Sequence, residues 1–175
     1  IPARFMSTPR AQGYGDFLLH DLRNDKTGKP NPDFALNHPK AKGASILIAR
    51  RNFGAGSSRE AAVYALVDAG FRVIIAPSFG DIFSANAVNN GLLPAKLDPD
   101  RVETLIGRAP CEITVDLNSS RIIAPTGSFT FDPESTWREK LIYGWDDVDL
   151  TLAQAKAIHA FGQTRKADRA WTWPA

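Results

Sequence analysis

Gly54-Ala55-Gly56-Ser57-Ser58-Arg59 puts two glycines, two adjacent hydroxyls and an arginine in one short run. A guanidinium grips a carboxylate or phosphate through two parallel hydrogen bonds, and glycine lets backbone approach an anion closely. A serine beside fixed positive charge can be set to acid–base work. The chemistry predicted is a small-anion site with a serine acting in it.

Ile46-Leu47-Ile48-Ala49 reads as a strand before this run. Residues Ser58–Ala69 read as a helix after it, with Ala62, Val63, Leu66 and Val67 at helical spacing and Gly70 as the C-terminal stop. The run therefore occupies a strand-to-helix turn, where backbone N–H groups lack partners and the helix dipole is positive. Phe71–Ala76 is a second strand ended by Pro77, which predicts a right-handed parallel βαβ unit.

Ser78 followed by Asp81 predicts a helix start, and that helix closes near Asn89-Asn90-Gly91, with Asn86, Asn89 and Asn90 as capping and turn residues. Asp98–Gly107 and Ser135–Tyr143 read as helices, and Thr151–Lys166 as a last helix opened by the pair Thr151 and Gln154. Glu112–Asp116, Arg121–Ala124 and Ser128–Phe131 read as short strands. The predicted fold is α/β with a mixed sheet, in a single domain over residues 1–175 with its core in 44–175. Residues 1–43 comprise a polar piece at Phe5–Gly13, a short helical run at Asp16–Arg23, and a long loop at Asn24–Gly43 of the kind that faces a partner or closes a site.

Three familiar glycine turns do not fit. A dinucleotide fingerprint needs Gly or Ala where Arg59 stands and an acidic residue about 20 positions on, where Val73–Ile75 are apolar. The P-loop Gly-Lys-Ser/Thr is absent, and so is G-x-S-x-G. A purely structural reading stands beside the anion site: Ser57 and Glu60 have the spacing of a capping box, in which the hydroxyl only satisfies an N–H for about 1 kcal/mol. Arg59 favours the anion pocket, because a capping box needs no arginine.

The 175 residues carry a net charge of +2, which gives no reason to expect nucleic acid or a membrane surface. Lys26, Lys29, Lys40 and Lys42 read as a solvated loop without interleaved aromatics. One cysteine, Cys111, excludes an internal disulfide and any metal or iron–sulfur centre held by this chain's cysteines alone. His20, His38 and His159 are scattered, and Asp146, Asp147 and Asp149 precede a helix as a dipole-complementing cap, so no metal site is expected. No apolar run approaches the about 20 residues of a membrane helix. The chain opens at Ile1-Pro2 with no visible signal peptide, and a soluble, reducing, cytoplasmic setting is expected.

Asn52-Phe53-Gly54-Ala55-Gly56-Ser57-Ser58-Arg59-Glu60, Ile74-Ile75-Ala76-Pro77-Ser78-Phe79-Gly80-Asp81 and Asn90-Gly91-Leu92-Leu93-Pro94 together resemble the small-subunit family of 3-isopropylmalate dehydratase, related to the swivelling domain of aconitase. Gly15–Asp21, Pro32–Asn37 and Asp146–Leu152 extend the resemblance over nearly the whole chain. It implies a three-layered β/β/α swivelling fold and a hydro-lyase active only with a large subunit, which carries a [4Fe–4S] cluster; this chain would bind no cofactor. The substrate would be isopropylmalate, in leucine biosynthesis. By the same resemblance, Ser57 is the base, Arg59 binds a carboxylate, and Ser58, Gly56 and Arg10 contact substrate. The chain departs from the family pattern at Ala55, usually Cys, at Ala61, usually His, and in Phe5–Gly13, where Ser7, Ala11 and Gln12 stand in place of a lysine and an Arg-Thr pair. That loop leaves two alternatives: the same reaction on a methylmalate, dimethylmalate or homoaconitate-type acid, or a carboxylate-binding paralogue without catalysis.

Overall fold

A computed structural model describes residues 1–172. The N-terminal part is a chain of short 3-10 turns with one helix, α1 (His20–Arg23). The core begins with β1 (Ile46–Ile48), α2 (Ala61–Asp68), β2 (Val73–Ala76), α3 (Asp81–Asn89) and β3 (Leu93–Lys96). α4 (Pro99–Ile106) leads to β4 (Thr114–Asp116), β5 (Arg121–Ala124) and β6 (Gly127–Thr130), followed by α5 (Ser135–Tyr143), α6 (Asp147–Ala153) and α7 (Ala155–Asp168).

β1, β2 and β3 form a parallel sheet in that order, with Ile46 opposite Val73 and Val73 opposite Leu93. β4, β5 and β6 form a separate antiparallel meander. The α/β class and the parallel βαβ unit are as expected, while the two kinds of pairing segregate into two sheets instead of mixing in one. β3 has no counterpart in the sequence reading, because Pro94 in Leu-Leu-Pro argues against a strand. Its flanks are apolar enough to bury it regardless: Leu93, Pro94 and Ala95 are all buried.

Alternation along β2 divides the interior. Ile74 and Ala76 pack with Val63, Leu66 and Phe83 of α2 and α3, and with Tyr14 and Leu18 of the N-terminal part. Ile75 points to the opposite face, joining Leu93, Val102, Leu105, Ile122 and Phe129. Helices, parallel sheet and antiparallel sheet thus make three layers with a core on each side of the central one. β1 lies at the edge of the parallel sheet. The Ser45 carbonyl and Ala49 N–H face β2, so the backbone groups of Ile46 and Ile48 face outward, with no strand against them among the described residues.

Two helix starts differ from expectation. Ser78 does not cap α3; its hydroxyl is drawn into a bond with Asn52, and Gly80 holds the cap position without a side-chain bond. Thr151 and Gln154 do not form a capping pair either: Thr151 lies within α6, and Gln154 stands at the start of α7 with no side-chain cap bond. The Thr151 hydroxyl donates back to the Asp147 carbonyl at 2.9 Å, and α6 begins earlier with a complete Asp146–Asp149 capping box. The acidic cluster is thus a helix cap, with Asp147 also accepting at 2.8 Å from the buried Lys140 ammonium. Among the described residues no helix is long and apolar enough to cross a membrane.

Candidate functional site

The turn after β1 is built against the turn after β2. Asn52 takes a left-handed conformation (φ 59°), and its N–H donates to Ser78 Oγ at 2.9 Å while Ser78 Oγ donates to Asn52 Oδ1 at 3.1 Å. Phe53 N–H donates to the Ser78 carbonyl at 3.0 Å, and Gly80 N–H donates to the Phe53 carbonyl at 2.9 Å. Parallel pairing therefore continues past both strands, and Phe53, Phe79 and Phe83 stack edge and face beneath it. Two glycines permit this closeness. A Cβ on Gly54, whose φ is 77°, would lie 2.2 Å from Phe83 Cγ, and one on Gly80 would lie 3.0 Å from Ala55 Cα.

Beyond Gly54 the chain opens. A Cβ added at Gly56 would meet nothing within 4 Å. Ser57 is half-buried, and Ser58 and Arg59 are exposed. Helical structure begins at Ala61, later than the sequence pattern suggests, because the capping box does not form. Ser57 Oγ accepts the N–H of Arg59 at 3.2 Å, and the Glu60 carboxylate turns to Asn90. Among the described residues, the N–H groups of Gly56, Ser57, Ser58, Glu60 and Ala61 donate to no protein acceptor, and the Arg59 side chain has no hydrogen bond or ion pair. A hydroxyl held by one N–H, a row of free N–H donors and an unpaired guanidinium together form a surface for an anion.

The structure brings Gly56, Ser57, Ser58 and Arg59 together and places Arg10 elsewhere. The Arg10 guanidinium pairs bidentately with Asp68 at 2.6 and 2.8 Å and stacks over the Tyr64 ring at 4.4 Å. Asp68 is the last residue of α2, about 12 Å along the helix from the turn. It also accepts the Tyr14 N–H at 2.7 Å, and the Tyr14 hydroxyl donates to the Thr8 carbonyl at 2.7 Å. Arg10 thus fastens the Phe5–Gly13 loop to the far end of α2, away from the Gly56–Arg59 turn. Asn90, Tyr64, Asp68 and Ser78 have site-building roles that sequence reading missed, since each acts on a residue remote in sequence. A polar residue one turn apart on α2 (Glu60, Tyr64, Asp68) is the one pattern that could have flagged this helix face.

The three histidines lie apart from the turn in sequence and engage local partners, with His159 near Gln163 at 3.4 Å. His20 Nδ1 lies 3.0 Å from Asp21, and His38 accepts the Lys40 N–H at 3.2 Å. The donor set does not fit an iron–sulfur cluster, which needs several thiolates. Cys111 is the chain's single cysteine and lines a cavity of about 770 Å³ beside β1, together with Ile46, Ile48 and Lys42.

The sequence model of the aconitase C-terminal domain matches residues 7–100. The 3-isopropylmalate dehydratase small subunit of Shouchella clausii is 47% identical over 171 residues, covering 95% of this chain and 86% of that protein. The subunit of the same name from Shewanella baltica is 48% identical over 168 residues, covering 92% and 84%. Among solved structures, 3-isopropylmalate dehydratase from Methanocaldococcus jannaschii superposes with a TM-score of 0.52 at 31% identity, covering 64% of this chain and 68% of that one. Identity at this level over nearly the full chain, on a shared fold, makes this chain a member of the 3-isopropylmalate dehydratase small-subunit family.

Proposed function

We propose that this chain is the small subunit of a heteromeric hydro-lyase that interconverts 2-isopropylmalate and 3-isopropylmalate by dehydration and rehydration. The observation that carries the reading is the Ser57–Arg59 turn, where a hydroxyl bonded to a backbone N–H stands beside an unpaired guanidinium. Arg59 grips a substrate carboxylate through its fork. Ser58 and the free N–H groups from Gly56 onward complete the anion pocket.

Ser57 Oγ removes the proton from the carbon next to that carboxylate. The electron pair left behind forms the double bond as the hydroxyl departs from the neighbouring carbon as hydroxide, a leaving group that the large subunit's cluster would take up as a Lewis acid. Hydroxide then adds at the carbon that lost its proton, and Ser57 returns the proton to the carbon that lost the hydroxyl. A serine is a weak base in water, so its alkoxide needs help. The Arg59 N–H, the Arg59 charge and the free donors supply positive potential, and burial against a large subunit removes competing water.

The large subunit is the partner that carries the [4Fe–4S] cluster, since this chain lacks the thiolates. Arg10 is assigned to holding the N-terminal loop, not to the substrate. Assembly with the cysteine-bearing large subunit under anaerobic conditions, followed by assay of isopropylmalate interconversion, tests the reading. Turnover of a methylmalate, dimethylmalate or homoaconitate-type acid in its place would change the substrate. Intact assembly with no turnover of any hydroxy diacid would overturn the catalytic assignment.

A further inference from the structure

Arg59 is followed directly by Glu60, and a carboxylate so near is a natural competitor for its guanidinium. The structure holds that carboxylate elsewhere. Asn90 Nδ2 donates to Glu60 Oε1 at 2.8 Å and also to the Asn86 carbonyl at 2.8 Å, which anchors the amide on the last turn of α3. Gly91, at φ 71°, ends the helix there and lets the chain turn into β3, so the position of Asn90 is set by the core. From α2, Tyr64 lies one helical turn beyond Glu60, and interaction with that carboxylate, then burial, pushes the Tyr64 phenol above its ordinary value. Glu60 is thus held by Asn90 of α3's C-terminal end and makes no ion pair among the described residues, while Arg59 stays unpaired.

We propose that Asn90 is a positioning residue that holds the Glu60 carboxylate off Arg59 and so keeps the guanidinium available to a substrate carboxylate. The inference rests on the proposed role of Arg59 as clamp. It explains why the Ser57–Glu60 capping box is not formed: the glutamate has another partner. Released from Asn90, Glu60 would pair with Arg59 and compete with substrate. An exposed Arg–Glu pair corresponds to about two- to fivefold in binding, and more where a partner excludes water.

The test uses the assembled complex. Asn90→Ala is expected to raise KM for isopropylmalate about two- to fivefold with little change in kcat. Adding Glu60→Gln to the Asn90→Ala background should return KM to the wild-type value, because the competitor has lost its charge. A KM that stays high in the double variant, or that never rises in Asn90→Ala, overturns the inference. A second readout separates it from the proposed function. In ¹⁵N NMR of the isolated full chain, Asn90→Ala should shift the Arg59 Nε–H resonance, and the double variant should not. If the wild-type complex fails to turn over isopropylmalate, the functional reading falls and this signal still decides the inference: a shift cancelled by Glu60→Gln supports it, and no shift, or one that persists, overturns it.

Discussion

Helix α2 has an arginine at each end, and the fold treats them in opposite ways. At the C-terminal end, Arg10 is bound by both Asp68 oxygens and stacked on Tyr64. At the N-terminal end, Arg59 is exposed and unpaired among the described residues, and its nearest acidic neighbour in sequence is engaged by Asn90. A guanidinium with its fork filled fastens chain to chain, whereas one left open can bind a ligand. An arginine's role is therefore set by which carboxylates reach it, and residue type alone does not settle it.

The comparison breaks most visibly at the open end. Ser57→Asn removes the proposed base but keeps an acceptor for the Arg59 N–H, so kcat of the assembled complex should fall by about 10²–10⁴ while stability changes by under about 1 kcal/mol. A near-normal kcat would return Ser57 to a structural role. Arg59→Lys keeps charge and loses the fork. A decrease of about 1.5–3 kcal/mol in transition-state binding is expected, seen as raised KM together with lower kcat. An unchanged KM would remove the clamp.

Two glycines sharpen the contrast between the closed and open parts of the turn. Gly54→Ala should cost on the order of 2–4 kcal/mol in denaturant unfolding, since its Cβ would meet Phe83 at a positive φ. Gly56→Ala should change stability by less than about 0.5 kcal/mol while lowering kcat/KM, because the added methyl enters only the space left for a ligand. At the other end of the helix, Asp68→Asn should cost about 0.5–1 kcal/mol of stability, the pair being partly solvated. If Arg10 were instead a substrate ligand, freeing it would lower KM, and that result would erase the contrast between the two arginines.

The smallest effect lies far from either arginine. Asp116, the last residue of β4, is held below its ordinary carboxyl value, first by the Ser119 hydroxyl and then by backbone N–H groups of Ser119 and Asn118. A depressed folded value means its stabilisation is fully present above the unfolded value of 3.8 and is lost as pH falls below it. The loss of stability on acidification between about pH 4 and 2 should be shallower in Asp116→Asn than in the wild type.

Much of this layout is legible in the sequence, and the exceptions have physical reasons. The helices at Asp81, Pro99 and Ser135 and the strands of the meander follow from local periodicity and turn residues, so they appear where expected. β3 is hidden by a proline that burial overrides, and the α6–α7 boundary by a hydroxyl that bonds backward rather than capping. The serine–arginine turn is visible because its signal is contiguous. The fate of Arg10 is not, because its partner Asp68 lies 58 residues away. The same holds for Asn90 and Glu60, 30 residues apart, which neither motif could have connected.

The outward backbone of β1 also bears on how the chain behaves before it meets a partner. A strand edge with free N–H and C=O groups at Ile46 and Ile48 is a template on which other extended chains can nucleate. Lys40 and Lys42 are exposed beside that edge, so a second strand would have to bring its own backbone past two ammonium groups.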